Sequence, residues 1–189
     1  MRRFLGFVLL VVGGACGEAP KPLTGQARWV DTCLREGMGR SGGPHVITGT
    51  DSSTGRDITC ALGMSGSDIH VELRAVVGDN LDSSNEAVFI SADFGAVGAS
   101  ANNGSAMSIR GVGWSVSRGP FIGQNSMYPC EVVLTRADLT TRSFSGKFKC
   151  SNLRDDSTVP PRVCQIIGQN NITTEPEWGD FTFSNCTAY

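Results

Sequence analysis

Histidine is almost missing from this chain: His45 and His70 are the only two in 189 residues. General acid–base catalysis draws on histidine more than on any other side chain, so little room is left for it. Long apolar runs are missing too, and beyond the N-terminal segment no stretch approaches the roughly 20 residues of a transmembrane helix. No Cys-x-x-Cys occurs, and the cysteine gaps fit no zinc site, so neither metal nor cofactor is expected. Basic clusters are also lacking. Lys and Arg number 16 against 18 Asp and Glu, for a net charge of -2, which leaves no positive surface for a phosphate backbone and excludes nucleic acid as a partner. Charged residues make up 18% and hydrophobic ones 40%, with 24 glycines, a balance too apolar for disorder and suited to short strands joined by tight turns.

What is present begins with MRRFLGFVLLVVGGAC. Two arginines, an apolar run from Phe4 to Val12 and a small-residue stretch make residues 1–15 a secretory signal peptide. Gly13-Gly14-Ala15-Cys16 resembles a bacterial lipobox, with glycine where the pattern carries leucine, so Cys16 is the expected lipid (palmitate) attachment site and mature N-terminus. Several acyl chains on Cys16 would give lasting membrane attachment where one is marginal. Gly17 after it resembles the outer-membrane sorting choice of some Gram-negative bacteria. The competing reading is an ordinary Ala15-Cys16-Gly17 site cleaved before Glu18, which discards Cys16 and leaves an extracellular protein. Residues 16–27 form the anchor site and a polar tether, and 28–189 a single domain.

Seven cysteines is an odd count for an exported protein, and either fate of Cys16 repairs it. Cys33, Cys60, Cys130, Cys150, Cys164 and Cys186 remain, and outside a reducing compartment they imply three disulfides.

Period-two alternation is clearest at Asp68–Ala75, where Ile69, Val71, Leu73 and Ala75 take one face and His70, Glu72 and Arg74 the other. Further strands are predicted at 45–50, 57–62, 87–92, 106–116, 131–136, 143–149, 163–167 and 180–183, with Gly, Asn, Asp and Ser clusters between them. Arg28 to Glu36 reads as a helical turn or irregular segment, and Gly111 as a bulge. About nine short strands without a long helix predict an all-β, antiparallel sandwich. Between Cys130 and Cys150, a five-residue loop at 138–142 sets Arg136 opposite Phe144, Leu134 opposite Gly146, Val132 opposite Phe148 and Cys130 opposite Cys150. That places a disulfide at the open end of the hairpin. The other four cysteines admit three pairings, of which Cys60 with Cys186 would tie an early strand to the last.

Gly39-Arg40-Ser41-Gly42-Gly43-Pro44 resembles the Gly-Asp-Ser-Gly-Gly-Pro signature of trypsin-like proteases, with arginine in place of the acid. Ser41 precedes both histidines, the reverse of that family's order, and lacks the strand and helix of a nucleophile elbow. The run reads as a glycine-rich turn before the first strand. His70, between Asp68 and Glu72 on a polar face, reads as a solvated surface residue. The 78–86 loop carries Asp79, Asp82 and Glu86, which match no calcium loop and would serve a hydrolase only if two of them faced each other across a cleft. Trp114, Tyr128 and Trp178 are the aromatics that could stack on sugars, although aromatics in so small a domain mostly fill cores. Sequons at Asn103, Asn171 and Asn185 are incidental in a bacterial protein.

Val12-Gly13-Gly14-Ala15-Cys16, Asp57-Ile58-Thr59-Cys60, Phe144-Ser145-Gly146-Lys147-Phe148 and Phe181-Thr182-Phe183-Ser184-Asn185-Cys186 together resemble the mycobacterial lipoprotein-antigen family of lipid-anchored β-sandwiches. The resemblance implies an envelope location and a Cys60–Cys186 bond, and implies no enzymatic activity. The expected function is that of a lipid-anchored surface binding or structural module without catalysis, its partner a surface protein or glycan. The alternative is a soluble, secreted carbohydrate-binding module.

Overall fold

Twelve strands and no helix make up the described part of the structure, a computed structural model that describes residues 21–35, 38–49, 56–77, 86–102, 104–110, 130–150, 153–155, 162–167 and 178–189. In chain order they are β1 (Thr24–Arg35), β2 (Met38–Gly49), β3 (Arg56–Ser65), β4 (Asp68–Val77), β5 (Glu86–Phe94), β6 (Ala106–Arg110), β7 (Cys130–Asp138), β8 (Ser143–Cys150), β9 (Leu153–Asp155), β10 (Arg162–Ile167), β11 (Gly179–Ser184) and β12 (Thr187–Ala188). The fold is an all-β, disulfide-stapled sandwich of two sheets, antiparallel throughout except where β12 runs parallel to β3.

The smaller sheet is ordered β12-β3-β4-β5-β6. Its β3–β4 hairpin turns at Gly66-Ser67, where Gly66 takes a φ of 64°, a left-handed conformation that glycine adopts without strain. The larger sheet holds seven strands in five lines. β11 and β10 lie end to end along the same edge of β1, Arg28 facing Asp180 and Val30 facing Ile167, so that only Trp29 separates the two halves of one long line. β9 continues β8 in the same way, β8 pairing with β11 and β9 with β10. β2 takes the other edge of β1 and β7 the outer edge of β8.

Both sheets bury one face against a common core. Phe94, Phe144, Phe148, Phe181 and Phe183 are each 0–1% exposed. The larger sheet fits its aromatic rings by setting glycine across from phenylalanine: Gly146 faces Phe181, Gly179 faces Phe148, and Gly25 faces Phe183. A Cβ at Gly146 would overlap the Phe181 ring and sit 2.7 Å from the Val133 carbonyl oxygen. The edge of β7 is covered by the segment after β5: the Gly98 and Ala101 amides donate to Leu134 and Val132, and the Leu134 amide donates to Ala99. An open edge invites pairing with other chains, and these bonds close it.

Several expectations are corrected. Residues 28–35 belong to a strand, because β1 pairs along both edges and buries Ala27 and Trp29 while Arg28 points outward. That strand begins at Thr24, ahead of residue 28, and Leu23 already lies in the core. The glycine-rich 39–44 run is part of β2 instead of a turn. Val30 faces Pro44 and Thr32 faces Ser41, so Gly42 and Gly43 together oppose Asp31, a bulge that glycine permits. Pro44 is tolerated because β2 is an edge strand. In the β7–β8 hairpin the pairs at Leu134, Val132 and Cys130 are as expected, but a register shift after Leu134 puts Arg136 opposite Ser145 and Ala137 opposite Phe144. The turn is tightened by Asp138, whose carboxylate accepts the Thr140 and Thr141 amides at 2.9 and 3.1 Å; the Thr141 bonds hold its pKa below the ordinary carboxylate value. Gly111 lies outside the described residues.

Disulfides join Cys130 to Cys150 (Cα–Cα 4.1 Å) and Cys60 to Cys186 (5.0 Å). Cys33 faces Cys164 in the β1–β10 register.

Candidate functional site

β4 places Glu72 and Arg74 two residues apart, hence on the same outward face of the smaller sheet. The register extends each into a row across the strands. One row runs Thr187, Ala61, Glu72, Ser91, Ala106 from β12 to β6. The second runs Thr59, Arg74, Phe89, Ser108 from β3 to β6. Together these rows line an open concavity of about 510 Å³. At the usual strand spacing, five strands give a groove about 19 Å long, lying perpendicular to the chain direction and two side chains wide.

The groove is lined with hydroxyls, one carboxylate, one guanidinium and one aromatic ring. Arg74 donates from Nε to Asp57 at 2.5 Å, and its guanidinium sits 5.0 Å over the Phe89 ring. Its Nη groups make no other hydrogen bond among the described residues. The Glu72 side chain is 52% exposed and that of Arg74 39%, so both charges face water.

Beside the Glu72 row, two residues earlier on β4, His70 flanks one long side of the groove in a row with Gly63 and Asp93. His70 is only 6% exposed, which corrects the expectation of a solvated residue. The cause is Tyr189: its ring stacks on His70 with centroids 3.7 Å apart, and its backbone lies over Gly63, where a Cβ would meet the Tyr189 Cβ at 2.9 Å. His70 donates from Nδ1 to Asp93 at 2.6 Å, since a carboxylate can only accept. Its Nε2 is buried without a hydrogen-bond partner; the Glu72 carboxylate stands 3.5 Å away. The imidazole and carboxylate of a nucleophilic triad are thus assembled without a hydroxyl bonded to Nε2. Asp93→Ala leaves the buried Nδ1 without an acceptor and is expected to lower unfolding stability by about 1–3 kcal/mol. Pairing it with His70→Phe should recover part of that loss, because both polar partners are then gone. Urea denaturation of the single and double variants checks this, and equal losses in the two would contradict it.

Of the aromatic and acidic residues that the sequence singled out for binding or hydrolysis, Trp178 alone has a described side chain. Trp178 stands beside the larger sheet, half-buried, with the Lys147 and Lys149 ammonium groups 4.3 and 4.6 Å from its ring. Arg28 and Asp180 form a two-bond ion pair on that sheet at 2.9 and 2.7 Å. Trp114, Tyr128, Asp79, Asp82, Asn103, Asn171 and Cys16 lie outside the described residues. Glu86, His45 and Ser41 are placed on strands β5 and β2 by their backbones alone. The Asn185 side chain donates to the Pro22 carbonyl at 2.8 Å. Among the described residues no three His, Cys, Asp or Glu converge as metal ligands. Phe89 escaped the sequence reading: it follows Ala87 and Val88 and precedes Ile90 in an unbroken apolar run, so its outward side could not be read from alternation.

No protein-family model, curated protein or solved structure matches this chain.

Proposed function

We propose that the chain is an exported, lipid-anchored envelope protein that serves as a binding module and uses the groove on its smaller sheet for contact. The observation that carries the contact surface is the pair of transverse rows centred on Glu72 and Arg74, two charged side chains left open to solvent in a concavity of small-ligand size. The export half of the proposal rests on the n-region and apolar run ahead of Cys16, and on disulfides that persist only in oxidising compartments. The resemblance of four segments to lipid-anchored β-sandwiches supports the same reading. No reaction is assigned: His70, the imidazole beside the groove among the described residues, is covered by Tyr189.

Intact mass of the mature protein from native membranes tests the anchor. The expected mass begins at Cys16, carries acyl chains, and gains six alkyl groups only after reduction. A lipid-free mass beginning at Glu18 overturns the anchor and leaves a soluble, secreted module with the same groove.

A further inference from the structure

Resting on the reading of this groove as a binding site, we infer that its ligand is a neutral oligosaccharide chain laid across the strands. Three observations carry this. The first is shape: an opening about 19 Å long and two residues wide accepts an extended chain of rings and is longer than a single ring requires. The second is the available chemistry. At the centre of the groove β4 and β5 pair along both edges, which engages their backbone groups, so recognition there falls to side chains. Thr59, Ser91 and Ser108 both donate and accept, Glu72 accepts, and the Arg74 Nη groups donate, which together suit neighbouring sugar hydroxyls. Phe89 adds apolar ring surface beside them for the C–H groups of a sugar, with the Arg74 guanidinium already over one face of its ring.

The third observation is charge. Glu72 and Asp57 stand on either side of Arg74, which is already paired with Asp57. The three sum to one negative charge, which opposes a polyanion, and the guanidinium over Phe89 keeps a cation from that ring. A ligand with alternating donors and acceptors and no net charge is opposed by neither. An extended peptide is disfavoured on other grounds, since peptides of that kind draw affinity from a sheet edge and this surface is a sheet face.

The test uses the ¹⁵N-labelled, oxidised mature protein, titrated in turn with neutral oligomers of glucose, mannose, galactose and N-acetylglucosamine, with a sulfated oligosaccharide, and with an unstructured peptide. Amide shifts confined to the two rows on addition of a neutral oligomer are the expected result. Arg74→Ala and Phe89→Ala should each weaken that binding on the order of tenfold or more, as loss of charged hydrogen bonds or of stacking would. Ser91→Phe, which fills the floor of the groove, should abolish it and serves if either truncation fails to fold. Val46→Ala, on the other sheet, should leave it unchanged. Shifts in the rows produced only by the sulfated chain or the peptide overturn the ligand class and keep the groove as a site. No shift in the rows with any probe overturns both.

Discussion

Replacing Cys60 and Cys186 together by alanine is expected to lower unfolding stability by about 5 kcal/mol, against about 3 kcal/mol for the same replacement of Cys130 and Cys150. The sequence separations are 126 and 20 residues, and in the chain-entropy account the longer loop restricts the unfolded chain more. The locations point the same way. The Cys130–Cys150 bond closes a hairpin whose two strands already pair along their length, whereas Cys186 lies where the chain leaves the larger sheet to run beside β3. Without its disulfide that crossing is held by the Cys186 amide on the Arg142 carbonyl at 3.0 Å, the Thr187 hydroxyl on the Cys60 carbonyl at 3.0 Å, the Tyr189 amide on the Leu62 carbonyl at 3.4 Å, the Asn185 side chain on Pro22, the two-residue β12–β3 pairing and the Tyr189–His70 stack. Hydrogen exchange should therefore quicken first at 186–189 in the first double variant, uncovering His70. Equal denaturation midpoints for the two would contradict this ordering. Peptide mapping of the oxidised protein should find the third bond between Cys33 and Cys164, which face each other across antiparallel strands.

The second large effect is expected where phenylalanine lies over glycine. Phe181→Ala should lower stability by about 3–5 kcal/mol, because the ring is fully buried against Phe144 and Phe148 and its loss leaves a cavity. Gly146→Ala, at the residue facing it, should lower stability by about 1–3 kcal/mol through the opposite fault, too much matter in a filled space. The two faults partly cancel: a methyl at 146 enters the room that the Phe181 ring vacates, so the double variant should lose less than the sum. The gain stays incomplete, since the Val133 carbonyl oxygen is backbone and does not yield. Denaturant midpoints for the four proteins give the coupling directly, and strict additivity would show that ring and glycine do not share one space.

The hairpin from 130 to 150 was legible in the sequence because its apolar residues alternate on both arms and have one sensible pairing, with Leu134, Val132 and Cys130 fixing the register. The shift at Arg136 was not legible, since polar residues near a turn meet water on either register. β1 misled for a definite reason: Trp29 and Cys33 are four residues apart, a spacing that suits a helix, while the neighbours that make the segment a strand come from β2, β10 and β11. The groove was half legible. Glu72 and Arg74 declare themselves on the polar face of β4, but the rows they belong to exist only through pairing with β3 and β5. The burial of His70 depends on Tyr189, whose arrival above it has no signal in the residues around either.

The two halves of the β10–β11 line meet opposite a single residue of β1, Ile167 facing Val30 and Asp180 facing Arg28. Their registers are set by pairing with β1 on one edge and with β9 and β8 on the other, so the number of residues joining them does not enter. An insertion between β10 and β11 is therefore expected to leave both registers on β1 as they are, provided that Trp178, held under Lys147 and Lys149, is kept.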